Sequence, residues 1–316
     1  MRRVFELKVY HQYLDFVAAR HNVWERRMLG AHAPWTKDPI IQHHKFTNVF
    51  RILDPGSQFL VRDLLYGPGP LTERDVLARC LLYRFSNRPD VWRYSREQLG
   101  RYPLAADLTV SLEELWADWR DNGGQVFSGA YVIMPEPGVK GVDKTRSVVR
   151  LVGNLTRADS PGDIVPAFLR APGLRAKFNV LRAQRGVGDF IAMQVLTDYG
   201  YSRFGRDSEN EFIVAGPGAR KGISAVDPQA DPVKMIKFAR AELAMMGETR
   251  LVLPDGRTRP PSYMDTQNTF CEFSKYVRFK RRGVLPASKY RPAHPGPQER
   301  PIYPPHWLMD TRKEQE

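Results

Sequence analysis

Cysteine is nearly absent from this chain: Cys80 and Cys271 are the two in 316 residues. A disulfide framework or a closed zinc or iron–sulfur site needs more thiols than that, so neither is expected, and the usage fits a reducing compartment. Long apolar runs are missing too. No stretch approaches the roughly 20 apolar residues that cross a bilayer. The basic start MRRVFELKVYHQ leads into no apolar segment of the secretory kind. We therefore expect no membrane partner, no signal peptide and a cytoplasmic protein. Acidic residues are outnumbered, with 35 Asp and Glu against 48 Lys and Arg, which leaves a net charge of +13. An excess of that size favours a polyanion as partner, most often a nucleic acid. No Gly-Lys-Ser/Thr sequence occurs, so there is no Walker A loop and no ATP-dependent kinase is expected. Internal repeats and low-complexity tracts are absent as well. The length and a hydrophobic share of 42% allow one large or two modest domains with a buried core.

What is present centres on LRAQRGVGDFIAMQVLTDYGYSR. It reads as a short helix, a tight Gly-Val-Gly turn and a second helix carrying Phe190, Ile191, Gln194 and Val195. Gly186 and Gly188 permit backbone geometry that a side chain would obstruct. They also expose amides at the mouth of the second helix, where the helix dipole favours a phosphate. That is the physics of a helix-hairpin-helix gripping DNA backbone; a Gly-rich junction in an all-α enzyme is the plainer reading.

Apolar periodicity predicts a mainly α chain. A first helix over 2–30 uses Val9, Leu14, Phe16, Val17, Val23 and Trp24, and its patch RHNVWERR reads as a solvated face with Arg20, His21 and Glu25. Within it Arg26 and Arg27 offer adjacent guanidiniums that suit phosphate oxygens. A helix over 39–53, capped by Thr36 or Asp38 and stopped at Pro55-Gly56, would set Lys45, Asn48 and Arg51 on one side beside Asp54. That makes a polar site, although Asp54 could equally be a terminal carboxylate paired with Arg51. Thr72 caps a helix through Phe85 in which Cys80 is core. Residues 108–121 form another, with Ser111 as cap and Trp116 and Trp119 as core. Residues 130–134 read as a short strand or buried turn, and a loop at 135–142 leads to a helix over 148–155. The resulting organisation is an N-terminal helical domain (1–135), a hairpin-containing helical domain (136–291) and an extended Pro-rich tail (292–316).

Beyond the hairpin, Gly216-Pro217-Gly218 followed by Arg220, Lys221 and Gly222 has the composition of a phosphate-binding loop. A helix over 233–247 would bury Met235, Phe238, Leu243 and Met246. The next helix, from Tyr263, carries Asp265, and places Asn268, Glu272 and Lys275 or Tyr276 on one face. From Lys275 to Arg291 there are seven basic residues and no acidic one, interleaved with Tyr276, Phe279 and Tyr290. Such interleaving suits unstacked bases, which makes Arg278, Lys280 and Arg281 DNA contacts, or else a solvated cationic helix end.

Four segments in order, WERRMLGAHAPWTKDPIIQHHKFTNVFRILDPGSQFL, LRAQRGVGDFIAMQVLTDYGY, FIVAGPGARKGI and FCEFSKYVR, resemble the α-glutamyl/putrescinyl thymine pyrophosphorylases. They are similar also to the helical domain attached to phage 5-hydroxymethyluracil DNA kinases. The resemblance runs from about residue 20 to residue 291. It implies a helix-hairpin-helix DNA-glycosylase-like helical fold and a role in phage thymine hypermodification, in the host cytoplasm. There a hydroxymethyluracil in double-stranded DNA is activated by a kinase, the implied upstream partner, and an amino acid or amine then displaces pyrophosphate. Lacking a P-loop, the chain looks like the transferase. One departure stands out. Glycosylases of this type place an aspartate after a short apolar run, whereas here 212–215 is followed by Gly216-Pro217; Asp207 is nearer by spacing but reads as loop.

The implied chemistry assigns roles. Leaving pyrophosphate needs cations, for which Lys45, Arg51, Arg220 and Lys221 are candidates. The amine must lose a proton, with Asp54, Asp198 and Glu272 as possible bases; Asp198 could instead pair within the hairpin. Asn48, Lys275 and Tyr276 would bind substrate, and Arg26 or Lys275 a donor carboxylate. No redox or pyridoxal cofactor is implied; a magnesium ion on the pyrophosphate is compatible but has no ligand signature. A DNA glycosylase or lyase on the same fold, and a non-catalytic DNA-binding module, are the alternatives.

Overall fold

The computed structural model describes residues 7–129, 143–285 and 299–309. The expected strand at 130–134, the loop and boundary that follow it, and much of the Pro-rich tail lie outside the described residues. The chain is mainly α. In order come α1 (Leu7–Met28), α2 (Pro39–His43), α3 (Pro55–Phe59), α4 (Glu73–Ser86), α5 (Pro89–Leu99), α6 (Val110–Asp121) and α7 (Lys144–Thr156). Then follow α8 (Val165–Arg170), α9 (Gly173–Arg182), α10 (Asp189–Gly200), α11 (Pro217–Val226), α12 (Pro232–Met245), α13 (Tyr263–Arg282) and α14 (Pro305–Leu308). Strands β1 (Leu251–Val252) and β2 (Thr258–Arg259) form a small antiparallel hairpin pairing Leu251 with Arg259. Among the described residues no helix is long and apolar enough to cross a membrane.

Two compact units emerge, each discontinuous in sequence: 1–54 with 212–301, and 55–211 with 302–316. The first is built around α13. Ser262 and Asp265 form a reciprocal capping box at its start, and Gly283 ends it in the left-handed conformation. Tyr13 of α1 lies flat on Phe270, with centroids 4.1 Å apart, and its hydroxyl meets Thr269 Oγ1 at 2.7 Å. Phe16 packs among Phe46, Phe273 and Tyr276.

Packed closely on α13 lies α11, and here the structure corrects the expected phosphate loop. Residues 217–226 are helical, with Gly216 as N-cap. The glycines serve packing. A Cβ on Gly222 would fall 2.0 Å from the Phe270 carbonyl oxygen, and one on Gly218 would fall 2.2 Å from Cys271 Sγ. The two helices touch backbone to backbone because no side chain intervenes. Gly222→Ala should therefore destabilise by about 1–3 kcal/mol, since a carbonyl held in a helix cannot yield. Gly218→Ala should cost less, because the cysteine side chain can turn aside. Urea unfolding of the two variants checks the order.

In the second unit α4 is buried almost all round, with Leu77, Leu81, Leu82 and Tyr83 fully enclosed. Its Thr72–Asp75 capping box and the core position of Cys80 agree with the sequence reading. Arg79 is buried as well and donates to the carbonyls of Pro103, Leu64 and Tyr102 at 2.9, 2.7 and 2.9 Å. Trp92 and Trp116 meet edge to face nearby, with centroids 6.1 Å apart. The helix–turn–helix around Gly186 forms as expected. Gly186 has φ +87°, a conformation that favours glycine, and Gly188 caps α10 while Val187 points into the core. Asp189 sits in the first turn of α10, paired with Arg182.

Several expectations fail for local reasons. The helix over 39–53 does not form: α2 stops at His43, His44 is extended, and a single 3-10 turn spans Arg51–Leu53. Asn48 offers its side chain and backbone to local partners instead, the usual competitor to helix. Lys45, Asn48 and Arg51 consequently share no helical face. Pro55 opens α3 rather than closing a helix. Thr109, not Ser111, caps α6, and Trp119 is half-buried rather than core. Phe238 is 46% exposed on α12, where it leans on Tyr10.

Candidate functional site

Polar side chains converge in the first unit where the extended segment 44–50 crosses α1 and α13. The backbone of that segment is held by side chains. Arg20, buried on α1, donates from Nη2 to the Phe46 carbonyl at 3.0 Å and to Asn48 Oδ1 at 2.7 Å. Asn48 Nδ2 donates to the Leu53 carbonyl at 2.7 Å, which closes a tight loop. Two carboxylates accept from its amides: Asp54 Oδ1 from Asn48 N at 2.8 Å and Glu272 Oε2 from Thr47 N at 3.3 Å. A third, Asp265, takes Arg51 N at 2.7 Å and so ties the 3-10 turn to the start of α13. Glu272 also receives Lys275 Nζ at 2.6 Å.

Burial raises two carboxyls of this cluster, Asp265 and Asp54. Asp54 as a residue is half-buried, and burial pushes its carboxyl up to about 6 from an ordinary 3.8. The Asn48 N–H and the cations Arg20 and Arg51 pull it down, while Glu272 adds to the rise. A carboxylate of that kind changes charge close to neutrality with two guanidiniums in attendance. His44 lies alongside: burial, with Lys275 and Arg278, lowers its pKa, and Glu272 opposes them. Cys271 belongs to the same neighbourhood. Burial and Glu272 push its thiol up, while Lys275 and Lys221 act against them.

Of the residues singled out from sequence, Asp54, Arg51, Asn48, Glu272 and Lys275 come together here. Lys221 approaches through Cys271. Arg51 is buried, whereas Lys45, Arg220 and Lys221 are exposed, and Arg220 Nε donates to the Ala215 carbonyl at 3.0 Å. Tyr276 directs its hydroxyl to Asp38 Oδ2 at 2.7 Å, so it braces the N-cap of α2. Arg26 is exposed, and Arg27 places its guanidinium over Trp35 at 5.3 Å. Arg278, Lys280 and Arg281 are exposed on the last turns of α13. Gly186, Gly188 and Asp198 belong to the second unit. Asp198 is fully buried there, and both its oxygens face Arg84 of α4: Nη2 donates to Oδ1 at 2.8 Å and Nε to Oδ2. Asp207 likewise pairs with Lys177. Among the described residues no three His, Cys, Asp or Glu side chains are grouped to hold a metal ion.

Arg20 is the residue that sequence reading misplaced. It sits in the patch expected to be a solvated face, together with His21, yet both are buried. His21 contacts the Arg250 carbonyl at 3.2 Å, and burial lowers it to about 4, so it stays neutral. The signal was available in principle, since Arg20 follows Phe16 and Val17 by four and three positions on the core-facing stripe of α1.

The family model described as 5-hmdU DNA kinase, helical domain, matches residues 7–284. Among curated proteins, the 5-hmdU DNA kinase of Bacillus phage SP10 is 25% identical over 240 residues, covering 69% of this chain and 36% of the kinase. The chain thus spans about a third of that relative's length. No solved structure matches it.

Proposed function

The chain belongs to the family of the 5-hmdU DNA kinase helical domain, and from that premise we propose that it acts in phage thymine hypermodification as a transferase. Its substrate is DNA bearing 5-pyrophosphoryloxymethyluracil, and its co-substrate an amino acid or amine such as glycine. This is the place we assign it among the α-glutamyl/putrescinyl thymine pyrophosphorylases, downstream of a hydroxymethyluracil DNA kinase. The absence of a Gly-Lys-Ser/Thr sequence in these residues agrees with a role other than phosphorylation. We read α9, the Gly186–Gly188 turn and α10 as a helix-hairpin-helix on a glycosylase-like scaffold, and the basic end of α13 as a second contact to DNA backbone.

The observation that carries the reading is Asp54, a carboxylate raised to about 6 and flanked by Arg20 and Arg51. In the proposed step the amine nitrogen forms a bond to the base methylene carbon as the carbon–oxygen bond to pyrophosphate breaks. Pyrophosphate departs with that electron pair, and the proton from nitrogen passes to Asp54. Negative charge grows on the leaving oxygen, so Arg51, with Lys45, Lys221 and Arg220 at the surface, stabilises it. The modified base leaves the duplex stack to reach these groups. Glu272 holds Lys275, which offers a cation to a donor carboxylate.

Incubating the protein with DNA containing the pyrophosphorylated base and a panel of amines, then analysing nucleosides by mass spectrometry, tests this directly. An amine adduct with stoichiometric pyrophosphate is the expected result; free base or abasic sites would indicate a glycosylase instead. The rate should climb as pH rises through about 6, where Asp54 ionises, and level off above it. A profile flat from pH 5 to 7.5, measured at saturating donor, would remove Asp54 from the role of base.

A further inference from the structure

In the second unit, the start of α5 and the loop after α6 border an open cavity of about 660 Å³ that the proposed chemistry does not use. That volume lies within the roughly 300–1,000 Å³ of small-molecule sites. Its wall is aromatic. Tyr94 and Trp119 sit with centroids 4.9 Å apart and planes inclined by 32°. Both rings are fixed in place: Tyr94 donates its hydroxyl to Asp118 Oδ2 at 2.6 Å, and Trp119 Nε1 donates to the Gln125 carbonyl at 3.3 Å. Gly124 lies directly against the indole, where a Cβ would fall 2.2 Å from a ring carbon, so the loop closes on Trp119 only because this position is glycine.

The polar lining is balanced in charge. Arg88 Nη2 donates to Asp90 Oδ2 at 2.7 Å, which cancels both charges. Arg88 Nε–H, by contrast, is buried with no hydrogen-bond partner among the described residues. A phosphate would find little net attraction here. A neutral, flat ring suits the aromatic wall, and Asn122 and Gln125 complete the lining. Arg93 and Arg96 are exposed further along α5, and Arg93 also reaches Asp90, at 3.6 Å.

We propose that the cavity lined by Tyr94, Trp119 and Arg88 is a stacking subsite for an unpaired nucleobase of a DNA strand. A chain with net charge +13 would bring the strand close, and aromatic rings hold bases of any sequence because every base has a π-face. The subsite does not depend on the transferase reaction, and its test uses unmodified DNA.

The full-length chain is titrated with a single-stranded oligonucleotide carrying one 2-aminopurine, and with the corresponding duplex. Tyr94→Ala and Trp119→Ala should each weaken single-strand binding by about tenfold and leave duplex binding unchanged. In parallel, an oligonucleotide with 5-iodouracil is photocrosslinked to the unaltered protein, a readout independent of whether either variant folds. Crosslinks at Trp119 or Tyr94 are expected. Variants that bind the single strand like the parent, crosslinks confined to other residues, or binding of a proline-rich peptide without binding of the oligonucleotide would each overturn the proposal.

Discussion

Asp54→Asn is expected to slow amine transfer by at least about a hundredfold, the usual scale for removing a general base, while leaving the fold intact. The substitution keeps the shape of the side chain and an oxygen that can accept from Asn48 N, the contact that closes the 47–54 loop. What it removes is the site that takes up a proton. Stability should move in the opposite direction from activity. Burial raises the Asp54 carboxyl from 3.8 to about 6, so the folded chain disfavours the ionised form. A raised acid contributes stability that is complete below its unfolded pKa and is lost as pH rises through the folded one. Between about pH 4 and 6 the parent chain therefore surrenders stability that the uncharged asparagine does not. Compared with the parent, the variant should gain stability over that interval and hold the gain at pH 7.5. Single-turnover assays and urea unfolding at pH 4.5 and 7.5 measure both quantities. Unchanged turnover would dismiss Asp54 as the base; lost turnover together with lost stability would mean that it holds the loop rather than the proton.

The second large effect concerns Arg84 and Asp198. Asp198 is buried completely and Arg84 almost so, and they face each other through two hydrogen bonds between α4 and α10. Removing one member of such a pair strands the other charge in the interior, at a cost of about 3–5 kcal/mol. Arg84→Met and Asp198→Asn should each lower the urea midpoint strongly. The double replacement Arg84→Met with Asp198→Leu should recover most of the loss, because it removes the unpaired charge as well as the pair. The outcome also decides the role of Asp198. If Asp198→Asn melts like the parent but no longer transfers amine, this carboxylate does chemistry. If instability comes first and the double variant restores both stability and transfer, it is a structural pin joining the helix after the Gly186–Gly188 turn to the core.

Much of the helical architecture was legible in the chain. The cap at Thr72 and the glycine-bounded turn at 186–188 announce themselves because each is a local hydrogen-bonding or steric rule. The failures share a different cause. In 39–53, apolar spacing alone suggested a helix, but Asn48 and Asp54 bond the backbone locally and hold it extended. In 216–222, glycines beside Arg and Lys suggested an anion loop, yet their missing side chains admit the Phe270 backbone. Composition is the same in both readings; only the neighbour differs. Arg20 was read on the wrong side of α1 because charge was weighed above its place on the stripe.

Apolar spacing sets Asp54 at the end of a helix beside Lys45, Asn48 and Arg51, and that helical face does not exist. The setting of Asp54 comes from Arg20, 34 positions earlier, and from Glu272 and Asp265 on α13, more than 200 positions later. By itself the sequence determined the basic charge, the helical class, the Thr72 cap and the turn around Gly186, because these depend on composition and on residues within about one helical turn. The tertiary structure alone decided that Asp54 and Asp265 are raised, which arginines are buried beside Asp54 and which glycines are there to be packed against. Desolvation and close approach are properties of neighbours distant in sequence, and no local pattern encodes them.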